Sequence, residues 1–160
     1  MDLSIILLNY KQKGLIKQCI KGILAAQPNL KYEIIVVDND SKDDCLSSVK
    51  KLLDDQFGIP SLFSEIDRPK PDLITIQADR NGGFAYGNNL GMKKASGRYV
   101  MVSNPDIAVV PGVLEKMVDF MDKNEQIGII GPKLINPDGS VQYSCRSFPN
   151  LMMPIYRRTF

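Results

Sequence analysis

Four short polar clusters each follow an apolar run: Asn9 and Tyr10 after "LSIILL", Asp38 to Asp40 after "YEIIVV", Asp79 to Asn81 after "LITIQA", and Asn104 to Asp106 after "YVMVS". Taken singly, Asn and Asp at such places are turn formers or helix caps; four together point to a site. A carboxylate at 38 can accept hydrogen bonds from a nucleobase imide or a ribose hydroxyl, or it can face the positive end of the next helix. Asp106 follows Pro105, which fixes the turn. It is the kind of ligand that Mg²⁺ or Mn²⁺ takes when substrate phosphates and water fill the other positions, although a turn Asp after Pro needs no metal. "NGGF", residues 81 to 84, carries adjacent glycines where backbone can approach a ligand, but it matches neither G-x-G-x-x-G nor a Walker A loop. The chain has no His. Any general base is therefore a carboxylate, Lys, Tyr or Cys, and histidine triads and His-rich metal sites are excluded.

These clusters need elements to hold them. Residues 3 to 8 read as a strand, and Leu15, Ile16, Cys19, Ile20, Ile23 and Leu24 recur on one face of a helix that Pro28 ends. A second strand over 32 to 38 leads to Ser41, an expected helix N-cap with Asp44 three residues on, and Leu46, Val49, Leu52 and Leu53 form that helix's apolar face. Residues 54 to 72, with three prolines, read as a long surface connection. Strands follow at 73 to 77 and, as a buried run, at 98 to 102; between them the Gly-rich loop leads into a helix in which Gly87 and Gly91 allow close packing. Val113, Leu114, Met117, Val118 and Met121 mark one more helix, and the Asp-Gly of "NPDGS" predicts a hairpin at 136 to 140. Alternating strands and helices predict an α/β fold with a mostly parallel central sheet flanked by helices, its ligands bound beyond the carboxyl ends of the strands.

Composition narrows the function. With 160 residues, 44% of them hydrophobic, the chain is long enough for one domain spanning 1–160. Lys and Arg number 20 against 18 Asp and Glu, too even a balance to argue for nucleic acid. Cys19, Cys45 and Cys145 are widely spaced and lack a C-x-x-C pair, as expected of reduced thiols in a cytoplasmic protein. No stretch has the length of a membrane span or the flanks of a signal peptide.

"SIILLNYKQKGLIKQCIKGIL", "YEIIVVDNDSKDD", "NGGFAYGNNLGMKKASGRYVMVSNPD" and "IGIIGPKLINPDGSVQYSCRSFP", in that order, resemble the family 2 inverting glycosyltransferases of GT-A fold, and the rhamnosyltransferase-like branch in particular. The resemblance implies a Rossmann-like nucleotide-sugar-binding domain with Asn9, Tyr10, Asp38 and Asn39 in the nucleotide pocket. Asn81, Gly83, Asn88 and Asn104 would lie near the diphosphate and sugar, with Asp106 as ligand of a divalent metal, Mg or Mn. Where the family commonly has Asp-x-Asp, this chain has Asn104-Pro105-Asp106. The implied donor is a dTDP- or UDP-sugar and the acceptor a saccharide or lipid-linked hydroxyl. The implied setting is bacterial cell-surface polysaccharide synthesis, in the cytoplasm or at the inner face of the membrane, with peripheral membrane association in a full-length enzyme. Met152, Met153, Ile155 and Tyr156, with Arg157 and Arg158, would pack on the core or meet that membrane. The family's acidic base lies further along than the metal motif, yet no carboxylate follows Phe148. Glu115, Asp119, Asp122 and Glu125 read as the solvated face of a helix. The expectation is thus the N-terminal, donor-binding portion of a longer enzyme without its catalytic base; the alternative is a non-catalytic nucleotide-sugar binding module.

Overall fold

The computed structural model describes residues 1–57 and 70–142. In chain order the elements are β1 (Leu3–Asn9), α1 (Lys13–Ala26), β2 (Tyr32–Asp38), α2 (Cys45–Phe57), β3 (Asp72–Gln77), α3 (Gly83–Met92), β4 (Tyr99–Ser103) and α4 (Val113–Lys123). The strands form a sheet of order β3-β2-β1-β4, and every pair is parallel. This is the expected α/β fold. Because β2 and β3 lie to one side of β1 and β4 to the other, the strand order reverses at β1, and the crevice above such a reversal is where open α/β sheets bind ligands.

Side chains alternate across the sheet as the strand period requires. Leu3, Ile5, Leu7, Ile34 and Val36 pack with Ile16, Cys19, Ile20 and Ile23 of α1, Val49 and Leu53 of α2, and Leu114 of α4. Ile6, Ile35 and Val37 point the other way and meet Leu90 of α3. That second face also carries a polar anchor at the far end of the sheet. Buried Glu33 accepts hydrogen bonds from Ser4 Oγ at 2.5 Å, Ser96 N–H at 2.7 Å and Ser96 Oγ at 2.8 Å, and Gly97 N–H donates to Ser4 Oγ at 2.8 Å. The turn into β4 is thereby tied to β1 and β2.

Three expectations need correction. The helix after β2 begins at Cys45 rather than 42, and Ser41 does not cap it, because Asp40 and Lys42 take left-handed φ values of 62° and 60°. Ser41 is drawn instead toward the strand ends. At its other end α2 runs on to Phe57, past the expected start of the connection at 54, since Leu53 and Phe57 continue the apolar stripe one turn further. Residues 58–69 of that connection lie outside the described residues. The apolar run of β4, expected buried, lies at a sheet edge with Val100 45% and Val102 38% exposed. On that face α3 packs over β1 and β2 and stops short of β4.

Contacts divide the chain into two compact units, Met1–Gln126 and Ile127–Phe160. In the second, an antiparallel bridge joins Ile135 to Val141, Asn136 N–H bonds the Ser140 carbonyl at 2.8 Å, and Gly139 turns the chain at φ +84°. This is the tip of the expected hairpin; residues 143–160, with Cys145 and the Met152 to Arg158 stretch, lie outside the described residues. No described helix is long and apolar enough to cross a membrane.

Candidate functional site

The site begins with register. Asn9, the last residue of β1, is the lateral partner of Asp38, the last of β2, and Asp38 is the partner of Gln77, the last of β3. Three polar side chains thus stand in a row at the carboxyl edge. Asn9 and Asp38 are buried, at 0% and 1% exposure. Asn9 Nδ2 donates to Asp38 Oδ1 at 2.7 Å and to Ser41 Oγ at 2.9 Å, while its Oδ1 accepts from Gln12 N–H at 3.0 Å just ahead of α1. Asp38 Oδ2 accepts from Ser41 N–H at 3.1 Å and Gln77 Nε2 at 2.9 Å. Ser41 Oγ also receives Lys11 N–H at 3.0 Å. Burial pushes the Asp38 carboxyl up, but donors from Ser41, Gln77 and Asn9 outweigh it and hold the group below the ordinary carboxylate value.

Asn39, also buried, works sideways. Its Nδ2 donates to Asn81 Oδ1 at 2.7 Å and its Oδ1 accepts from Gly82 N–H at 3.3 Å. Asn81 Oδ1 accepts from Gly83 N–H at 3.0 Å, and Gly83 takes φ +82°, which a residue with a Cβ rarely adopts. Two Asn side chains thus fold the Gly-Gly turn down onto the end of β2. Gly82, the N-cap of α3, has no side chain to cap the helix, and Asn81 Oδ1 engages only the first helical N–H, that of Gly83, so the N–H groups that follow in the first turn stay open to an anion. One turn further on, Asn88 is 3% exposed; its Nδ2 bonds the Phe84 carbonyl at 2.9 Å and its Oδ1 is buried without a partner. A buried acceptor left unpaired is costly, and a ligand hydroxyl or a water would relieve it.

Tyr10 stands out from this floor, 43% exposed, with the Lys11 ammonium 5.4 Å from its ring centre. Beyond β4, Asn104 and Asp106 are exposed, and among the described residues no side-chain hydrogen bond holds Asp106. Its charge nevertheless reaches the core: burial first, then Asp106, push the Cys19 thiol up to about 11. Among the described residues no three of His, Cys, Asp or Glu gather as a metal cluster. One unengaged carboxylate and one amide oxygen, two residues apart on an exposed turn, suit a hard cation that shares its remaining positions with phosphate oxygens and water.

Asn9, Asp38, Asn39, Asn81 and Gly83 are therefore joined in one network; Asn88 sits on the helix that follows, and Tyr10, Asn104 and Asp106 are not hydrogen-bonded into it. Both Asp38 oxygens are engaged by protein donors, which tie the carboxylate into the strand ends. Ser41 and Gln77 escaped the sequence reading. Ser41 reads as an ordinary N-cap, and the signal for Gln77 is its rank as the terminal residue of a strand paired in register with Asp38. Of the acidic residues read as solvated surface, Glu115 is half-buried and accepts Asn29 N–H at 2.8 Å, while Asp122 takes Tyr99 OH at 2.6 Å and Arg98 at 2.9 Å. Asn29 precedes β2 and Tyr99 starts β4, so both carboxylates serve the end of the sheet opposite Asp38.

Over 139 residues, 86% of its length, the chain is 28% identical to the succinoglycan biosynthesis protein ExoO of Rhizobium meliloti, of which it spans 35%, about a third. A shorter stretch of 54 residues, 34% of the chain, is 37% identical to N-acetylglucosaminyl-diphospho-decaprenol L-rhamnosyltransferase of Mycobacterium tuberculosis and covers 18% of it. Among solved structures, S. aureus TarS in complex with UDP-GlcNAc shares the fold at a TM-score of 0.61 and 24% identity, over 78% of this chain and 32% of that one. Residues 4–159, from the second residue of β1 onward, match the family described as Glycosyl transferase family 2, and the chain belongs to it.

Proposed function

We propose that this chain is the donor-binding part of an inverting glycosyltransferase that takes a sugar from a nucleoside diphosphate, a dTDP- or UDP-sugar, for a cell-surface polysaccharide. The observation that carries the reading is the strand-end network: a buried, ionised Asp38 with Asn9, Asn39 and Asn81 builds a rigid floor at the reversal of strand order and leads straight to a helix N-terminus at which Asn81 engages only the Gly83 N–H. Rigid positioning of this kind suits a ligand with a flat base at one end and a charged diphosphate at the other. Tyr10, Asp38, Asn9 and Asn39 form the nucleoside side of the floor. Asn81, Gly83 and the first turn of α3 face the diphosphate, and the unpaired Asn88 Oδ1 is an acceptor for a sugar hydroxyl. Asp106, with Asn104, would hold Mg²⁺ or Mn²⁺, which when bound supplies positive charge opposite the diphosphate.

In the full reaction the acceptor hydroxyl oxygen bonds to the anomeric carbon as the bond from that carbon to the diphosphate breaks, and the hydroxyl proton passes to a base. Glu115 and Asp122 are bound at the far end of the sheet and cannot take it. That observation favours a second reading for the chain by itself, a nucleotide-sugar binder without turnover. Calorimetric titration with a panel of sugar nucleotides, with and without Mg²⁺ or Mn²⁺, tests both. Binding is expected, and no heat from any member would overturn the donor-site reading. Asp106→Asn should abolish the metal-dependent part of the affinity while leaving that of an unphosphorylated nucleoside unchanged. Equal losses for both would make Asp106 a loop residue.

A further inference from the structure

Gln77 is exposed at the end of β3, and its amide nitrogen is fully engaged: 2.9 Å from Asp38 Oδ2, 3.3 Å from the Ala78 carbonyl and 3.5 Å from that of Asp38. An ionised carboxylate only accepts, so nitrogen alone can face Asp38, and the amide cannot turn over without setting oxygen against oxygen. The same constraint acts on Asn9, whose Nδ2 meets the other oxygen of Asp38 at 2.7 Å. One buried charge therefore fixes the direction of two amides. In Asn9 the oxygen so oriented is used up by Gln12 N–H. In Gln77 it is left over, an acceptor of set direction on the exposed rim, with no hydrogen-bond donor among the described residues.

We propose that Gln77 is a specificity-determining residue of the nucleotide site, its Oε1 held as an acceptor by Asp38 so that it takes a hydrogen from the bound nucleoside. This rests on the donor-site reading above. Two hydrogens have the right chemistry, the ring N–H of a uracil-type base and a ribose hydroxyl. A site built to accept a hydrogen discriminates strongly against a ligand that lacks it, because the acceptor is then buried unpaired.

The probes are UDP, 3-methyl-UDP, which lacks the ring N–H, and 2′-deoxy-UDP and 3′-deoxy-UDP, which each lack one hydroxyl, titrated into the 160-residue chain and into Gln77→Met, which keeps the length of the side chain. UDP should bind the variant roughly tenfold more weakly, as expected for loss of one hydrogen bond. The analogue missing the relevant hydrogen should bind the parent chain weakly and lose nothing further in the variant. Whichever analogue behaves so identifies the source. Asp38→Asn, which frees the amide to turn, should narrow the gap between UDP and that analogue. Gln77→Ala, with the circular dichroism of both Gln77 variants, separates lost binding from lost folding. If all the analogues lose the same factor as UDP in folded variants, Gln77 is no specificity residue. If the parent chain binds none of UDP, dTDP, CDP, GDP or ADP, the donor-site reading itself falls.

Discussion

Asp38 is the residue on which the strand ends depend. Asp38→Ala strips a partner from Asn9, Gln77 and the Ser41 N–H at once. Hydrogen bonds to a charged group are worth about 1.5–3 kcal/mol and those sharing an acceptor do not add, so a loss of about 2–3 kcal/mol is expected, read as a lower urea midpoint at unchanged slope. Its folded pKa is depressed, so the stability it contributes is complete above the unfolded carboxylate value near 3.8 and is lost as pH falls through the lower folded value. The Asp38→Asn chain should accordingly show a flatter acid limb than the parent when urea midpoints are followed below about pH 4. That Asn9, Asp38 and Asn39 matter was legible in the sequence, because polar residues closing strongly apolar runs ask for a reason. Whether their atoms face a ligand or each other was not, since that depends on the pairing of β1 with β2 between residues 29 positions apart in the chain. Ser41 shows the same limit: it was visible as a cap and became a bridge once Asp40 and Lys42 turned left-handed.

At the scale of elements, α3 and the turn into β4 lie as close to the sheet as backbone allows. A Cβ on Gly97 would come within 2.5 Å of the Ser4 backbone nitrogen and 2.7 Å of the Leu3 carbonyl carbon. On Gly87 it would meet the Leu8 Cδ1 at 2.2 Å, the far end of a side chain that can turn aside. Overpacking typically costs about 1–3 kcal/mol. Gly97→Ala is therefore expected to lower the melting temperature more than Gly87→Ala, and equal or reversed shifts would contradict the backbone contact. The sequence revealed the helix and its close-packing glycines, as well as all four strands. It could not reveal the edge position of β4, because Tyr99 to Val102 has the same apolar character as the central strands and only the direction of the chain reversal decides which strand ends up outside.

For the molecule as a whole, one core shields the two described cysteines. Burial pushes Cys19 up to about 11, and burial with the nearby Asp43, Asp38 and Asp44 charges pushes Cys45 up to about 12. Iodoacetamide at pH 8 should leave both unmodified in the folded chain and alkylate both in urea, as read by peptide mass analysis; rapid labelling of either in the native protein would mean that its helix opens. Raised thiol values also mean that this contribution to stability is full below the unfolded thiol value and fades as pH rises toward the folded ones. The central place of β1 has a further consequence, in time. Leu3 pairs with Tyr32 on one side and with Tyr99 on the other, so closing β1 on β4 spans a far longer stretch of chain than closing it on β2. Longer closures cost more entropy and come later. Pulsed hydrogen exchange during refolding should therefore protect the amides of β1 and β2 before those of β4. A nascent chain would acquire the floor around Asp38 first, and Asn104 and Asp106 would reach the strand ends only when the last strand arrives.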